Sequence, residues 1–211
     1  MIAIIDYDAG NIKSVEKAFE YLNEPVVLTR DKETILQADG AVLPGVGAFG
    51  DAMNRLNEYG LTEVIHQYVQ AGKPFLGICL GYQLMFDKSE EGVGTPGLGL
   101  FKGECIRFSD SYGLKVPQIG WNSLSFPKKS RIFDGLSDNT YVYFVHSYYV
   151  KADDESIVAA TSEYGNVFHA ACESGNVFGC QFHPEKSSDV GMKILKNFVK
   201  ITNEAANVNK L

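Results

Sequence analysis

The residue best placed for covalent chemistry is a cysteine framed by glycines, in Gly77-Ile78-Cys79-Leu80-Gly81. A glycine two residues before and two after the thiol is the spacing of a nucleophile elbow. This is a tight strand-to-helix turn that lifts one side chain above a sheet, here with Cys in the place of Ser. The glycines remove Cβ atoms where the turn crowds its neighbours. The turn also sets the thiol at the start of a helix, whose positive end favours thiolate, the form that attacks carbonyl carbon. Most cysteines are buried small hydrophobes. The elbow argues against that reading for Cys79, whereas Cys105, Cys172 and Cys180, in or near strand-like runs, take it.

A thiolate nucleophile needs a base, and the base needs an orienting group. Of the four histidines, His66 lies in an amphipathic helical pattern with nothing to orient it, and His169 beside Phe168 reads as structural. His183 opens His183-Pro184-Glu185 directly after the apolar run 177–182. Pro184 holds its own φ and biases His183 toward extended backbone, where residues two apart face one side. Glu185 can then fix the imidazole tautomer and stabilise the imidazolium. Three residues alone say little; joined to a cysteine elbow, they specify a Cys–His–Glu triad.

Acyl transfer also needs donors for the oxyanion. The backbone N–H of Leu80 is one. The second is expected from Pro44-Gly45-Val46-Gly47, whose glycines let a peptide plane swing, although the segment also reads as an ordinary turn. Gln83 lies one helical turn past Cys79 on the same face. It either holds a substrate amino acid or is a polar helix residue.

Positioning these groups requires a sheet. Apolar runs at 2–6, 26–29, 40–43 and 75–78 alternate with helical patterns, among them Ile12, Val15, Ala18, Phe19 and Leu22, and the stretch 61–70. That rhythm predicts a parallel sheet covered on both faces, with the site beyond the carboxyl ends of its strands. The ends at 6–11, 44–47 and Cys79 are the ones of interest. Residues 92–103 are glycine-dense and read as a loop. Strand-like runs follow at 141–150, 157–160, 167–172 and 177–182, then a helix over about 189–203, which suggests an antiparallel extension folded back onto the same sheet. No linker divides the 211 residues, so one domain is expected over 1–211.

The bulk numbers narrow the class. Hydrophobic residues at 45% and charged residues at 21% describe a globular chain. A net charge of −7 disfavours nucleic acid, which needs a basic surface. No run reaches the roughly 20 apolar residues of a membrane span, and Met1 leads straight into Ile2-Ala3-Ile4-Ile5 without a basic leader. The cysteines form no CxxC pair, so neither a metal site nor a disulfide framework is indicated, and a reduced cytoplasmic protein is expected.

Taken together these motifs resemble the class I (triad) glutamine amidotransferases over essentially the whole chain: Pro44 to Gly47, Gly77 to Gln83 and His183-Pro184-Glu185. Asp6-Tyr7-Asp8-Ala9-Gly10-Asn11, Pro44 to Phe49, Pro117 to Asn122 and Phe144 to Tyr148 are most similar to the members serving histidine biosynthesis. The resemblance implies a flavodoxin-like α/β sandwich, with a mostly parallel central sheet and an antiparallel extension. It also implies glutamine hydrolysis through a Cys79 thioester, without cofactor or metal.

A separate (β/α)8-barrel cyclase is implied as partner, forming a heterodimer and receiving ammonia through a tunnel. Such a barrel takes about 250 residues, for which this chain has no room. By the same resemblance the backbone of His146, Ser147 and Tyr148 contacts glutamine, and Asn11, Trp121, Tyr143 and Lys186 lie toward the partner. Trp121 and Tyr143 also fit as core aromatics, Asn11 as a helix cap and Lys186 as a solvated lysine. Two alternatives stay open: a glutaminase serving another synthase, such as that of pyridoxal phosphate, and a non-catalytic binding protein on the same sheet.

Overall fold

The computed structural model describes residues 1–208. Its first half alternates as expected: β1 (Ile2–Ile5), α1 (Ile12–Tyr21), β2 (Val26–Thr29), α2 (Lys32–Gln37), β3 (Gly40–Leu43), α3 (Phe49–Glu58), α4 (Leu61–Gln70), β4 (Phe75–Ile78) and α5 (Leu80–Leu84). Strands β1, β3 and β4 are buried at every residue, as strands covered on both faces must be. Helix α3 buries the stripe Phe49, Ala52, Met53 and Leu56, whereas the six-residue α2 buries only Ile35. Asp31 caps α2, its carboxylate accepting from the Thr34 N–H at 2.8 Å. The start of α3 is capped from a distance, the Glu91 carboxylate accepting from the Phe49 N–H at 2.8 Å.

The second half comprises β5 (Lys88–Ser89), β6 (Gly103–Arg107), β7 (Gln118–Leu124), β8 (Thr140–His146), β9 (Tyr148–Ala152), β10 (Val158–Tyr164), β11 (Asn166–Ser174), β12 (Val177–Cys180) and α6 (Ser188–Val208). The large sheet runs β2-β1-β3-β4-β12-β11-β9-β6-β5, with β10 on β11. Strands β2, β1, β3, β4 and β12 are mutually parallel, and the pairings β12–β11, β11–β9 and β9–β6 are antiparallel. The order 2-1-3-4, completed by β12, is the flavodoxin-like arrangement. One apolar core, containing α1 and α6, lies on one side, and another, containing α2 to α5, on the other.

One expectation is corrected. The run 141–150 is not one strand of the large sheet but two strands broken at Ser147, and β8 pairs only with β7 in a separate two-stranded ribbon. The break is held by hydrogen bonds: Ser147 gives its carbonyl to the Phe108 N–H at 3.0 Å, and the His146 ring turns back to the Tyr148 carbonyl at 2.8 Å. The apolar alternation continues across Ser147, so hydropathy alone runs the two strands together. No helix among the described residues is long and apolar enough to cross a membrane.

Candidate active site

Cys79 sits between β4 and α5 with φ 54° and ψ −109°, a conformation that costs a non-glycine residue energy and marks a forced turn. Its N–H donates to the Cys180 carbonyl at 2.8 Å, fixing the elbow to β12. The second elbow glycine is obligatory, because a Cβ at Gly81 would overlap the Leu43 carbonyl. The helix behind the thiol is shorter than its role suggests. At five residues α5 carries the dipole of little more than one turn. Side-chain neighbours therefore matter more to the sulfur than the helix does.

His183 and Glu185 do meet, though not on continuous extended backbone. His183 is extended, but Pro184–Lys186 form a 3-10 turn, with Pro184 opening it. The His183 Nδ1 lies 2.7 Å from Glu185 Oε1, and both side chains are enclosed. The His183 backbone is itself clamped: its N–H donates to the Tyr143 carbonyl at 3.0 Å, and its carbonyl accepts from the Ser187 hydroxyl at 2.6 Å. Burial works against a charged ring here, yet the neighbouring Cys79 sulfur and the Glu185 carboxylate outweigh it and push the His183 pKa up to about 10. Among protein groups the buried Nε2 has no hydrogen-bond partner. Catalytic hydrogen bonds commonly tighten only with substrate in place.

Asn11 is a triad neighbour rather than a cap. It stands at the head of α1 with φ 67°, makes no side-chain capping bond, and donates from Nδ2 to Glu185 Oε1 at 2.9 Å. Glu185 thus holds two donors on one oxygen, which fixes the carboxylate plane.

The thiol opens into a cleft of about 270 Å3 lined by Val46, Gly47, Cys79, Leu80, Gln83, Glu91, Pro117 and residues 145–148. Every substrate-side residue expected from the sequence except Gly45 is in that lining, and Gly45 underlies it. Glu91 belongs to no motif; its only sequence signal is a carboxylate in a glycine-rich loop. Gln83 has both amide hydrogens occupied, by the Tyr148 carbonyl at 2.9 Å and Gln181 Oε1 at 3.0 Å. Only its oxygen is left for a ligand, and an oxygen suits a cationic amine.

The site expected for the oxyanion is closed in this conformation. The Leu80 N–H donates to the Gly45 carbonyl at 3.3 Å, so the donor expected to meet substrate is already engaged. Beneath it the buried Tyr7 hydroxyl donates to the Pro44 carbonyl at 2.7 Å, and any Cβ at Gly45 would overlap that hydroxyl.

Of the residues expected at a partner surface, Trp121 is 52% exposed and stacks edge-on with Tyr143, its cross-strand neighbour, at 6.2 Å between ring centres. It is not a core aromatic. Lys186 is exposed and Tyr143 half-buried. A second cleft, about 290 Å3, lies between residues 129–134 and α6. It holds no cysteine or histidine, and Arg131 and Glu173 pair within it at 2.9 Å.

A strained cysteine elbow beside an enclosed histidine–carboxylate pair, with a glycine-bearing loop over the thiol on a flavodoxin-like sheet, is the equipment of a thiol-dependent amide hydrolase. Comparison with known proteins agrees: the family described as glutamine amidotransferase class-I matches residues 3–201, and the chain belongs to it. It is similar throughout to the imidazole glycerol phosphate synthase subunit HisH of Bacillus cereus (strain G9842), 52% identical over 94% of this chain and 93% of that one. The HisH protein of Geobacillus kaustophilus (strain HTA426) is also 52% identical, over 98% and 100%. Among solved structures, PurLQS from Thermotoga maritima shares the fold, with TM-score 0.73 at 21% identity, over 95% of this chain and 97% of that one.

Proposed function

We propose that this chain is the glutaminase subunit of an imidazole glycerol phosphate synthase. The observation that carries the reading is the buried His183–Glu185 pair beside Cys79 in a cleft of amino-acid size, in a chain about half identical to that subunit over nearly its full length. The Cys79 sulfur attacks the side-chain amide carbon of glutamine. Imidazolium Nε2–H of His183 protonates the nitrogen as the C–N bond breaks, so ammonia leaves and a thioester remains. His183, now neutral, takes a proton from water, which attacks the thioester and frees glutamate and the thiol.

In this mechanism Glu91 and the Gln83 oxygen face the α-ammonium of glutamine, and the Ser147–Tyr148 backbone its carboxylate. Rotation of the Gly45–Val46 peptide would withdraw the Gly45 carbonyl from Leu80 and present the Val46 N–H beside it, with Gly47 (φ 117°) as the hinge. The resting loop therefore makes the isolated chain a poor glutaminase.

The partner is a cyclase of (β/α)8 form that uses the ammonia to close the imidazole ring in histidine biosynthesis. It docks over Asn11, Trp121, Tyr143 and Lys186. One domain over 1–211 is supported by the large sheet, which interleaves β12 from the second half beside β4. The four free, buried cysteines suit the cytoplasm.

Two assays test the reading. In the complex, Cys79→Ala abolishes glutamine-dependent synthesis and leaves ammonia-supported synthesis intact; loss of neither, or of both, sinks it. Glutamate release by the isolated chain rises about a hundredfold or more when the cyclase and its nucleotide are added, the worth of a restored oxyanion donor. A pull-down that recovers only a pyridoxal phosphate synthase barrel would overturn the pathway assignment.

A further inference from the structure

Gln181 is wholly enclosed, and its place beside the nucleophile is not explained by the triad. Its Nε2 lies 3.8 Å from the Cys79 sulfur, and its Oε1 accepts from Gln83 Nε2 at 3.0 Å. The same Gln83 nitrogen donates to the Tyr148 carbonyl at 2.9 Å, which is also met by His146 Nδ1 at 2.8 Å. His146 Nε2 in turn stands 3.0 Å from the buried Gln118 side-chain amide, at its Oε1 position.

The sense of this relay is fixed by one atom. The Tyr148 carbonyl can only accept, so Nδ1 of His146 and the NH2 of Gln83 must both donate to it. The second hydrogen of that NH2 goes to Gln181 Oε1, which turns the Gln181 NH2 toward sulfur. At the other end, burial keeps His146 neutral, so its Nε2 accepts and the Gln118 amide nitrogen, not the oxygen, must face it. Each contact in the relay then sets a donor against an acceptor, and an amide hydrogen of Gln181 points at Cys79. Gln118 opens β7, next to the exposed Ile119 and Trp121.

We propose that Gln181 is a positioning residue for the nucleophile: its amide N–H aims the Cys79 sulfur and stabilises it as thiolate, with its own orientation dictated through Gln83 by the Tyr148 carbonyl. This deepens the glutaminase reading of the same site. It makes the sulfur's readiness a property of a buried amide relay that begins on the ribbon, independent of the oxyanion loop.

The test is alkylation of Cys79 by iodoacetamide in the full isolated chain, followed across pH. It needs neither glutamine nor partner, so it can fail while the glutaminase assays succeed, or the reverse. Cys105, Cys172 and Cys180 are almost wholly buried, and Cys79→Ala sets the background. His183, Tyr7 and Cys180, the titratable groups facing the sulfur, stay unchanged throughout. Gln181→Met, similar in length but without a donor, is expected to alkylate about tenfold more slowly at neutral pH, with its profile displaced to higher pH. Gln181→Glu, which sets a carboxylate against the sulfur, shifts it further in the same direction. Gln181→Asn, one methylene too short to reach, behaves as the Met variant does and serves if that one does not fold. Profiles unmoved in folded variants overturn the proposal. So does a uniform slowing at all pH values with a lowered melting temperature, which is what a merely structural residue would produce.

Discussion

Two buried histidines give this protein opposite responses to pH. His183 is held charged by Cys79 and Glu185, with its pKa pushed up to about 10. Its contribution to stability is complete below the unfolded value of about 6.5 and is lost as pH rises through about 10. His146 is held neutral by burial, with its pKa pushed down to about 4. Unfolding lets it take up a proton anywhere between about 4 and 6.5, so stability falls as pH drops through that window, by roughly 3 kcal/mol in all. Urea titrations from neutral to acid pH should show this slope, and His146→Asn should flatten it. At the triad, Glu185→Gln leaves the tautomer unsupported and should lower glutamine turnover by about a thousandfold or more. Asn11→Ala removes only the second donor on that carboxylate, and about a tenfold loss is expected. Steady-state glutamate release in the complex distinguishes the two.

At the scale of elements, function rests on two tight crossings and one loop. Gly81 lies against the Leu43 carbonyl, where β3 meets the start of α5. Gly81→Ala should destabilise the protein by about 3 kcal/mol, read as a drop in urea midpoint, because backbone on both sides cannot yield. Gly45 lies against the Tyr7 hydroxyl, whose bond to the Pro44 carbonyl anchors the base of the oxyanion loop. Gly45→Ala should displace the Tyr7 hydroxyl at a cost of about 1–3 kcal/mol, and keep the cyclase from stimulating glutamate release. The added methyl obstructs the one peptide that must turn. The far end of the loop is held by Glu91 through the Phe49 N–H, so only residues 45–48 are free to rearrange between two fixed posts.

For the whole molecule, the ribbon β7–β8 joins the core to an exposed apolar surface. Its outer face exposes Ile119, Trp121 and Tyr141, while its inner face carries Val142, Phe144 and His146 into the core and toward the cleft. A surface tryptophan packed on a neighbouring tyrosine is the kind of residue that anchors an interface. Trp121→Ala should weaken cyclase binding by about thirtyfold or more in a titration. Alkylation of Cys79 in the isolated chain should be unchanged, because Trp121 is not among the residues that line the cleft.

The elements whose identity is written in local pattern were legible without coordinates: β1 to β4, α1, α4 and the glycine-framed elbow, because burial on two faces demands unbroken apolar runs and a tight turn demands glycine. The meeting of His183 with Glu185 was legible from His183-Pro184-Glu185 read beside the cysteine elbow, although a 3-10 turn, not continuous extended backbone, brings the two side chains together. What the tertiary structure alone decided depends on hydrogen bonds between residues far apart in the chain. It separated β8 from β9 at Ser147 and turned Asn11 from helix cap to partner of Glu185. It brought Gln181 to the sulfur and Glu91 to the cleft, and it set the Gly45 carbonyl on the Leu80 N–H. Each of these is a choice of partner for one polar group, and residue types and spacing do not specify it, because several partners satisfy the same donor equally well until the packed fold leaves only one within reach.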